Sequence, residues 1–587
     1  MSFLPSPSVP ATDSPAASPW FDRLLYLGTF LAIAVALSPN LPDPDLWGHV
    51  EYARDALQFG LPATTTYSYT AEGYPWVNHE LLSEFLQAVG MDTLGPRGML
   101  IAKCLLGVGC MGVVFAFARR RSPSALALCL VLLLVSVNLT YFWCLRPQLL
   151  SFTCYVALLA VLEYCFEGWQ GQWWLPWPKA LRSSGDLQYS SSRMKWLWLV
   201  PLIITIWTNS HGGFLAGICI FMSYLVCRSN ELIAQRPGAC SGLLKRFALM
   251  VVAVVLVTFI NPYGPGLHTG LYRELGAPRP EIIEWRAPEF LSPYMIPFWL
   301  LVATWLAVLI SSRAPRDFTQ LVIMTATLWQ SLEHRRHIPF FAIAFGFWMV
   351  PHVDSALRRW GVVGECPAAS PPPARTWQWA FGGAISLAFV IAGAQLALRL
   401  SDMPVARSEY PVSAFQYIAD QRLQGKMVVT FNWAQYAIAA FGQKSGGQSG
   451  IRVHADGRFR TCYPQELLDM HFDFALADLE PRYRSRRSPA LDPGRILDYG
   501  QPDLVLASRG QPTSVNVMFR NMDEWTLLYQ DRVAQVWGRT TIYGNPTSPQ
   551  FIPAARRSIT DKEQTGSVTW PALPVVSQIA TPRKGEA

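Results

Sequence analysis

The chain carries little charge for its size. Only 15% of its 587 residues are Asp, Glu, Lys or Arg, where a soluble protein of this length carries about 25%. That shortfall excludes a string of ordinary soluble domains. It is also uneven: long apolar runs separated by short polar loops fill the chain to about residue 400, and ordinary soluble composition follows. Redox and zinc motifs are missing as well. None of the eleven cysteines forms a C-x-x-C pair, and Cys104, Cys110, Cys129, Cys154 and Cys219 lie in apolar runs, where a thiol behaves as a small hydrophobe. The net charge of +8 is not gathered into a nucleic-acid footprint; the basic residues sit in loops between apolar runs, as at a membrane surface. No internal repeat is visible. Residues 1–22 are rich in Pro, Ser and Ala and are expected to be a disordered tail. They lack the basic stretch and short apolar core of a cleaved signal, so the first apolar run is expected to be retained.

A membrane-spanning helix needs roughly 20 mainly apolar residues. Eleven stretches qualify: about 23–40, 97–118, 124–142, 147–167, 196–209, 212–227, 247–260, 295–312, 318–332, 338–352 and 377–399. The fifth and ninth are short and fit broken or re-entrant segments. With the N-terminus inside, the inner segments hold 17 basic residues and the outer loops before the last helix hold 8. The positive-inside rule therefore predicts an N-in, C-out protein. In that orientation every histidine except His352 falls outside, together with Asp43, Asp45, Glu80, Arg146, Asn209, Glu284, Arg335 and Arg336. The candidate chemistry gathers on the outer face.

The expected organisation is a tail (1–22), a polytopic α-helical membrane domain (23–400), a small extracytoplasmic α/β domain (401–540) and a C-terminal tail (541–587). In the α/β part, "KMVVTF", "IRVHAD" and "DLVLAS" read as buried strands, "PQELLDMHF" as a helix and "WTLLYQDRVAQVWG" as a hairpin. The closing tail shows no clear periodicity.

The stretch "LPDPDLWGHVEYARDALQFG" (41–60) follows the first apolar run and admits two readings. In the first, Asp43 caps a helix with Pro44 at its first position, Asp45 favours the helix dipole, and Leu46, Val50, Ala53 and Leu57 make one apolar face of an interfacial helix. In the second, Asp43 and Asp45 converge on a divalent metal or a substrate hydroxyl, with His49 one turn beyond Asp45. Paired carboxylates suit Mg²⁺ or Mn²⁺, and a carboxylate beside an apolar surface can act as a general base.

Further motifs follow: "PWVNHELLSEFL" (75–86), "LRPQLLSF" (145–152), "WTNSHGGFLAG" (207–217), "NPYG" (261–264), "EW" (284–285), "RRHIPFFAI" (335–343) and "DGR" (456–458). In this order and spacing, after "DPDLWGH", the chain resembles a large group of bacterial multi-pass membrane proteins placed near the GT-C glycosyltransferases. The resemblance runs from residue 23 to about 540. It implies a GT-C-like fold and transfer of a sugar from a polyprenyl-phosphate carrier to an acceptor on the outer face. The acidic motif of the first outer loop would be base or metal ligand, a position matched by Asp43 and Asp45. One departure stands out: many relatives have two aromatics where this chain has "LWGH", with Gly48 in place of the second.

In "EHRRHIP", His334, Arg335, Arg336 and His337 stand at a membrane exit, where arginine forks suit the carrier's phosphate; the alternative is a helix end anchored by snorkelling side chains. Arg146 could bind phosphate, pair with Asp45 or serve as an interfacial anchor. Glu284 and Trp285 are candidates for a sugar site. Asn209 and His211 interrupt an apolar stretch, as a cavity lining or as a tight helical hairpin. Asn78, His79 and Glu80 fit the capped first turn of a second interfacial helix, with His79 and Glu80 also possible ligands, and "HADGR" fits a structural turn.

The function these readings imply is an integral glycosyltransferase of the cell (inner) membrane. Its partners are membrane lipids, a polyprenyl-phosphate-linked sugar and an acceptor the sequence does not name, with a divalent cation as its cofactor. Two rivals remain: a transporter or flippase of a lipid-linked substrate, and a non-catalytic assembly protein. A transporter calls for ionisable groups at helix midpoints or an inverted repeat, and neither is visible.

Overall fold

The computed structural model describes residues 19–122, 124–169, 171, 190–235, 240–276, 278–363, 375–442, 450–479 and 482–575. The chain opens with helices α1 (Pro19–Ala36), α2 (Leu46–Phe59), α3 (Leu81–Arg119), α4 (Ala125–Thr140) and α5 (Gln148–Cys165). Helices Leu199–Thr208, Phe214–Gln235, Ser241–Val257, Ile296–Ser311, Phe318–Glu333, Ile338–Trp348 and Arg375–Arg399 follow, so each predicted span coincides with a helix. Among the described residues five helices are long and apolar enough to cross a membrane, and six if the pair Arg335–Trp348 and Val350–Arg359, bent by 67°, is one span. Several others are short, 16 residues in α4 and 10 in Leu199–Thr208. The ten described cysteines are all free.

Helix α3 is two helices joined at Gly95, whose φ of 68° and ψ of 178° leave the helical region just before Pro96. Only glycine takes that conformation without strain, and proline tolerates the start of the second helix. The break separates an outer segment carrying Glu80 and Glu84 near its start from the apolar segment behind it. Helix Ile338–Trp348 is buried at every residue and packs on α3, α4, α5 and Phe318–Glu333. Being apolar all round, it can only sit at the centre of a bundle. Its first turn follows directly on Arg335–His337, so the bundle core delivers that basic segment to one mouth.

The C-terminal part holds a six-stranded sheet of β2 (Gly425–Val429), β3 (Ile451–Val453), β4 (Leu504–Ser508), β5 (Trp525–Gln530), β6 (Ala534–Arg539) and β7 (Ser558–Ile559), in the order β3-β2-β4-β6-β5-β7. β3, β2 and β4 run parallel, and β6 is antiparallel to both β4 and β5. A separate antiparallel pair joins β1 (Pro404–Ala406) to β8 (Ser567–Thr569). The expected strands, the Gln465–Leu476 helix and the β5–β6 hairpin are all present. β7 and β8 come from beyond residue 540, in the stretch read as an aperiodic tail; strands of two and three residues are too short to show alternation in sequence.

Three features fasten this part to the helical part. The loop after α2 adds to the free edge of β3, with Tyr69 N–H donating to Val453 O (3.2 Å) and Val453 N–H to Tyr67 O (3.1 Å). Arg458 of the "DGR" turn, itself bonded to Asp456, also donates to Thr65 Oγ1 (2.9 Å) and stands over the rings of Tyr52, Tyr67 and Trp76. The turn is thus a buried clamp. Helix Ala434–Phe441 packs on α2, whose residues Leu46 to Ala53 are all buried. The expectation of an interfacial α2 is corrected for its first two turns, which α3 and the C-terminal part cover, while Leu57 and Phe59 of its last turn stay exposed.

Candidate functional site

A cavity of about 860 Å³ opens where the loop before α2, the start of α3, the start of α5, segment 279–286 and the Arg336 mouth meet the C-terminal part. Asp43, Asp45, His49, His79, Glu80, Arg146, His211, Glu284, Trp285, His334, Arg336 and His337 line it. Arg335 and Asn209, also singled out in the sequence, do not. Arg335 turns to Glu289 (2.6 Å) and Ala287 O (3.2 Å), and the Asn209 amide donates to Thr205 O and Ile260 O, both at 2.8 Å, closing the helical hairpin around it.

The acids of the first loop are not used as expected. α2 starts at Leu46, its N-cap residue is Asp45, and no side chain caps it. Asp43 Oδ1 accepts from Asp45 N–H (3.0 Å) in a local turn. Both carboxylates reach Arg146 at the start of α5, Asp45 Oδ2 at 2.9 Å from Nη2 and Asp43 Oδ1 at 3.3 Å from Nε, and Glu284 pairs with Nη1. The capping reading is corrected because the charged guanidinium of Arg146 attracts these carboxylates more strongly than the partial charges of the helix N–H groups do. Three acids share one cation, so the cluster keeps an excess of negative charge. Burial, with the neighbouring Asp45 and Glu284 charges, outweighs Arg146 and pushes the Asp43 carboxyl up to about 6. Burial also opposes ionisation of Glu284, but Arg146 and Arg336 hold it below the usual range.

A second cluster lies alongside. His49 Nδ1 is 2.9 Å from Glu84 Oε1, not on Asp45 as i, i+4 spacing suggested, and Asn78 Nδ2 donates to Glu84 Oε2 at 2.5 Å. Glu80 has three histidines about it: His211 at 3.7 Å, His79 at 3.8 Å and His49 at 3.9 Å. Burial raises Glu80, but His79, His49, His211 and Arg146 draw it down to about 2. Burial lowers His49, yet the Glu84 hydrogen bond and the Glu80, Glu84 and Asp45 charges hold it up to about 9. Burial takes His211 down to about 3, and its Nδ1 sits 2.8 Å from Ser151 Oγ and 3.0 Å from Gly213 N–H. Ligand atoms of His49, Glu80 and Glu84 all lie within 4.8 Å of one another. Between Asp43 and Asp45, the pair expected to hold a metal, stands the Arg146 guanidinium.

At the far wall the Arg336 guanidinium lies 4.4 Å from the centre of the Trp285 ring, with Arg279 at 4.8 Å from the same ring. Arg336 Nη2 is 3.4 Å from His211 Nε2, and it forms no ion pair with the described residues. His334 Nδ1 is 2.7 Å from Trp285 O, and His337 Nδ1 is 3.4 Å from Gln330 O, so both histidines brace this corner.

Sequence reading missed Glu84, Ser151, Arg279 and the wall supplied by the C-terminal part. Glu84 carried a usable signal, one helical turn after Glu80 within "HELLSE". The others carried none.

No family model matches the chain, and no curated protein does. Among solved structures it is similar to the Archaeoglobus fulgidus oligosaccharyltransferase tethered to an acceptor peptide containing the NVT sequon, at 10% identity, 83% of this chain, 69% of that one and a TM-score of 0.46. A second match is archaeal oligosaccharyltransferase AglB from the same organism in complex with an inhibitory peptide and a dolichol-phosphate (9% identity, 84% and 69%, TM-score 0.48). A third is ArnT from Cupriavidus metallidurans in the apo state (15% identity, 91% and 99%, TM-score 0.49). At these values the functional reading rests on the chain's own geometry.

Proposed function

We propose that the chain is an integral membrane glycosyltransferase that moves a sugar from a polyprenyl-phosphate carrier to an acceptor on the extracytoplasmic face. One observation carries this reading. A single cavity at the mouth of the helical bundle gathers three carboxylates on Arg146 and, beside Glu284 over the Trp285 ring, an Arg336 that forms no ion pair with the described residues. Arg336 is partly exposed to this cavity and no described carboxylate pairs with it directly, so its fork stays open to an added anion. A lipid-borne phosphate arriving at membrane depth is such an anion, and the planar fork suits it.

The reaction is a displacement at the anomeric carbon. The acceptor oxygen bonds to that carbon, the carbon–oxygen bond to the carrier phosphate breaks, and polyprenyl phosphate leaves with the bonding pair. Asp43, largely ionised at neutral pH yet near enough to it to accept a proton, takes the acceptor's proton. Arg146 holds Asp43 and Asp45 in place, and Arg336 stabilises the leaving phosphate. Trp285, with the Arg336 and Arg279 guanidiniums over its ring, fixes the position of Arg336 at the edge of the sugar site. A divalent cation would be held by His49, Glu80 and Glu84 in place of the proton that His49 shares with Glu84, and one imidazole with two carboxylates suits Mn²⁺ better than Mg²⁺. Bound there, the cation would add Lewis-acid stabilisation of phosphate charge. The N-in, C-out orientation, which puts the cavity outside the inner membrane, belongs to the same proposal.

The test is mass spectrometry of lipids co-purifying with the protein, followed by transfer assays in nanodiscs with polyprenyl-phosphate hexoses. Bound carrier lipid and turnover are expected. Absence of carrier binding by every polyprenyl-phosphate hexose tried would overturn the reading.

A further inference from the structure

The cavity's outer wall comes from the C-terminal part, and the reaction derived above leaves it unused. There the rings of Phe431, Phe459 and Phe472 pack together, with centroids 5.4 to 6.2 Å apart, beside the amides of Asn432, Gln435 and Gln511. Arg458, the charged group of this wall, is neutralised by the hydrogen-bonded Asp456 carboxylate. The wall is therefore aromatic and amidic, without free charge among its described residues.

Gln435 is the member placed for a ligand. It is 3% exposed, lines the cavity, and its buried Oε1 has no hydrogen-bond partner. A buried amide oxygen left in that state costs about 1–3 kcal/mol, so something that donates to it is expected. Two glycines make its room. A Cβ at Gly48 would fall 2.5 Å from Gln435 Oε1, and one at Gly457 would fall 2.5 Å from Gln435 Nε2 and 2.4 Å from Asp45 Oδ1. The Gln435 amide and the Asp45 carboxylate thus approach the same glycine, within about 5 Å of each other. The missing side chain at Gly48 is what admits the amide.

We propose that Gln435 is the acceptor-binding residue of this enzyme and that the acceptor is an uncharged saccharide, held by the Gln435 amide with its ring against Phe431 and Phe472. The inference rests on the glycosyltransferase reading and adds the acceptor class to it. An amide presents one acceptor and one donor side by side, which matches two adjacent hydroxyls, one donating to Oε1 and one accepting from Nε2. The neighbouring Asn432 and Gln511 repeat that chemistry, and the rings supply an apolar face for the C–H side of a sugar. An anionic acceptor held at Gln435 would face the Asp45 carboxylate within about 5 Å, and the C-terminal part offers it no unpaired cation among the lining residues. The hydroxyl next to Gln435 lies close to Asp45 and its neighbour Asp43, where the proton must be taken.

The experiment uses full-length protein in nanodiscs, polyprenyl-phosphate hexoses as donors, and methyl glucoside, galactoside and mannoside as acceptors beside a Ser/Thr hexapeptide. Gln435→Leu should raise the KM for the preferred glycoside roughly tenfold, the scale of one or two neutral hydrogen bonds, with the donor KM within about twofold. Saturation-transfer NMR should show the same glycoside bound by wild type and weakened in the variant. Gly48→Ala, which drives a methyl group into the amide, should reproduce the defect at unchanged melting temperature. Transfer to the peptide but not to glycosides, or a glycoside KM unmoved by Gln435→Leu, would overturn this inference and leave carrier binding and the glycosyltransferase reading standing. No carrier binding and no transfer to any acceptor would remove both.

Discussion

Replacing Asp43 by asparagine separates chemistry from architecture. Asparagine keeps an oxygen for Asp45 N–H, now 3.0 Å away, so the local turn before α2 survives. What disappears is a charge 3.3 Å from Arg146 and a proton acceptor. With the Asp43 carboxyl at about 6 against 3.8 in an unfolded chain, the folded state holds the proton more tightly. The sign follows: this group's favourable contribution is complete below pH 3.8 and is lost as pH rises through 6, so ionised Asp43 costs the fold roughly 3 kcal/mol at most at neutral pH. Asp43→Asn should therefore melt no lower than wild type at pH 7.5. Sugar transfer should nevertheless fall by about 10²-fold or more, the usual scale for loss of a general base. The acid limb of the wild-type pH–rate profile, centred near pH 6, should vanish from the residual activity. The assays are transfer by purified protein in nanodiscs from pH 5 to 8 and thermal melting of the same samples. A variant with full activity, or one whose acid limb still lies near pH 6, would refute the assignment of Asp43 as base.

Arg336→Ala should weaken binding of a polyprenyl-phosphate hexose roughly ten- to hundredfold, the range for a charge-assisted contact, while Arg335→Ala, which breaks the bonds to Glu289 and Ala287 O outside the cavity, should leave it near wild type; equal losses in titration calorimetry would undo the distinction. In the C-terminal part, His454 and His471 are buried with all four ring nitrogens unpartnered, and burial takes His471 down to about 4. Its stabilising contribution is present above the unfolded value of 6.5 and is lost as pH falls toward 4, by up to roughly 3 kcal/mol; His471→Leu should flatten the drop in melting temperature over that window, and an unchanged slope would contradict the account. Cysteines placed at the exposed positions Phe59 and Leu479 should react with an impermeant maleimide in intact cells, and one at Val362 should not; labelling of Val362 would reverse the orientation proposed for the site.

Much of the architecture was legible because its signals are local. In a bilayer every backbone polar group must be satisfied within the segment, so an apolar run of sufficient length becomes a helix whatever surrounds it. Each of the eleven runs coincides with a helix, though among the described residues only five, or six with the bent pair, are long and apolar enough to cross, and the apolar strands β2 and β4 and the β5–β6 hairpin were readable from equally local patterns. The candidate cavity's members were also readable as types: nearly every acid, histidine and arginine of the outer loops that drew notice lines it. Their partnerships were not. Arg146 joins Asp45, 101 residues away, to Glu284, 138 residues away, and only the packing of α5 against the first loop and segment 279–286 decides that. That same pairing took Asp43 and Asp45 away from capping α2. Arg335 and Arg336 are adjacent and chemically identical, yet one short helical turn sends the first to Glu289 and the second over Trp285. Gln435, an ordinary glutamine in an ordinary helix, acquired its place because Gly48 and Gly457, distant in sequence, leave space on either side of it. Composition and periodicity are properties of a segment and are written along the chain. Which charge meets which, and which amide is left facing a cavity, depends on distances between segments, and those are set only when the bundle and the C-terminal sheet close on each other.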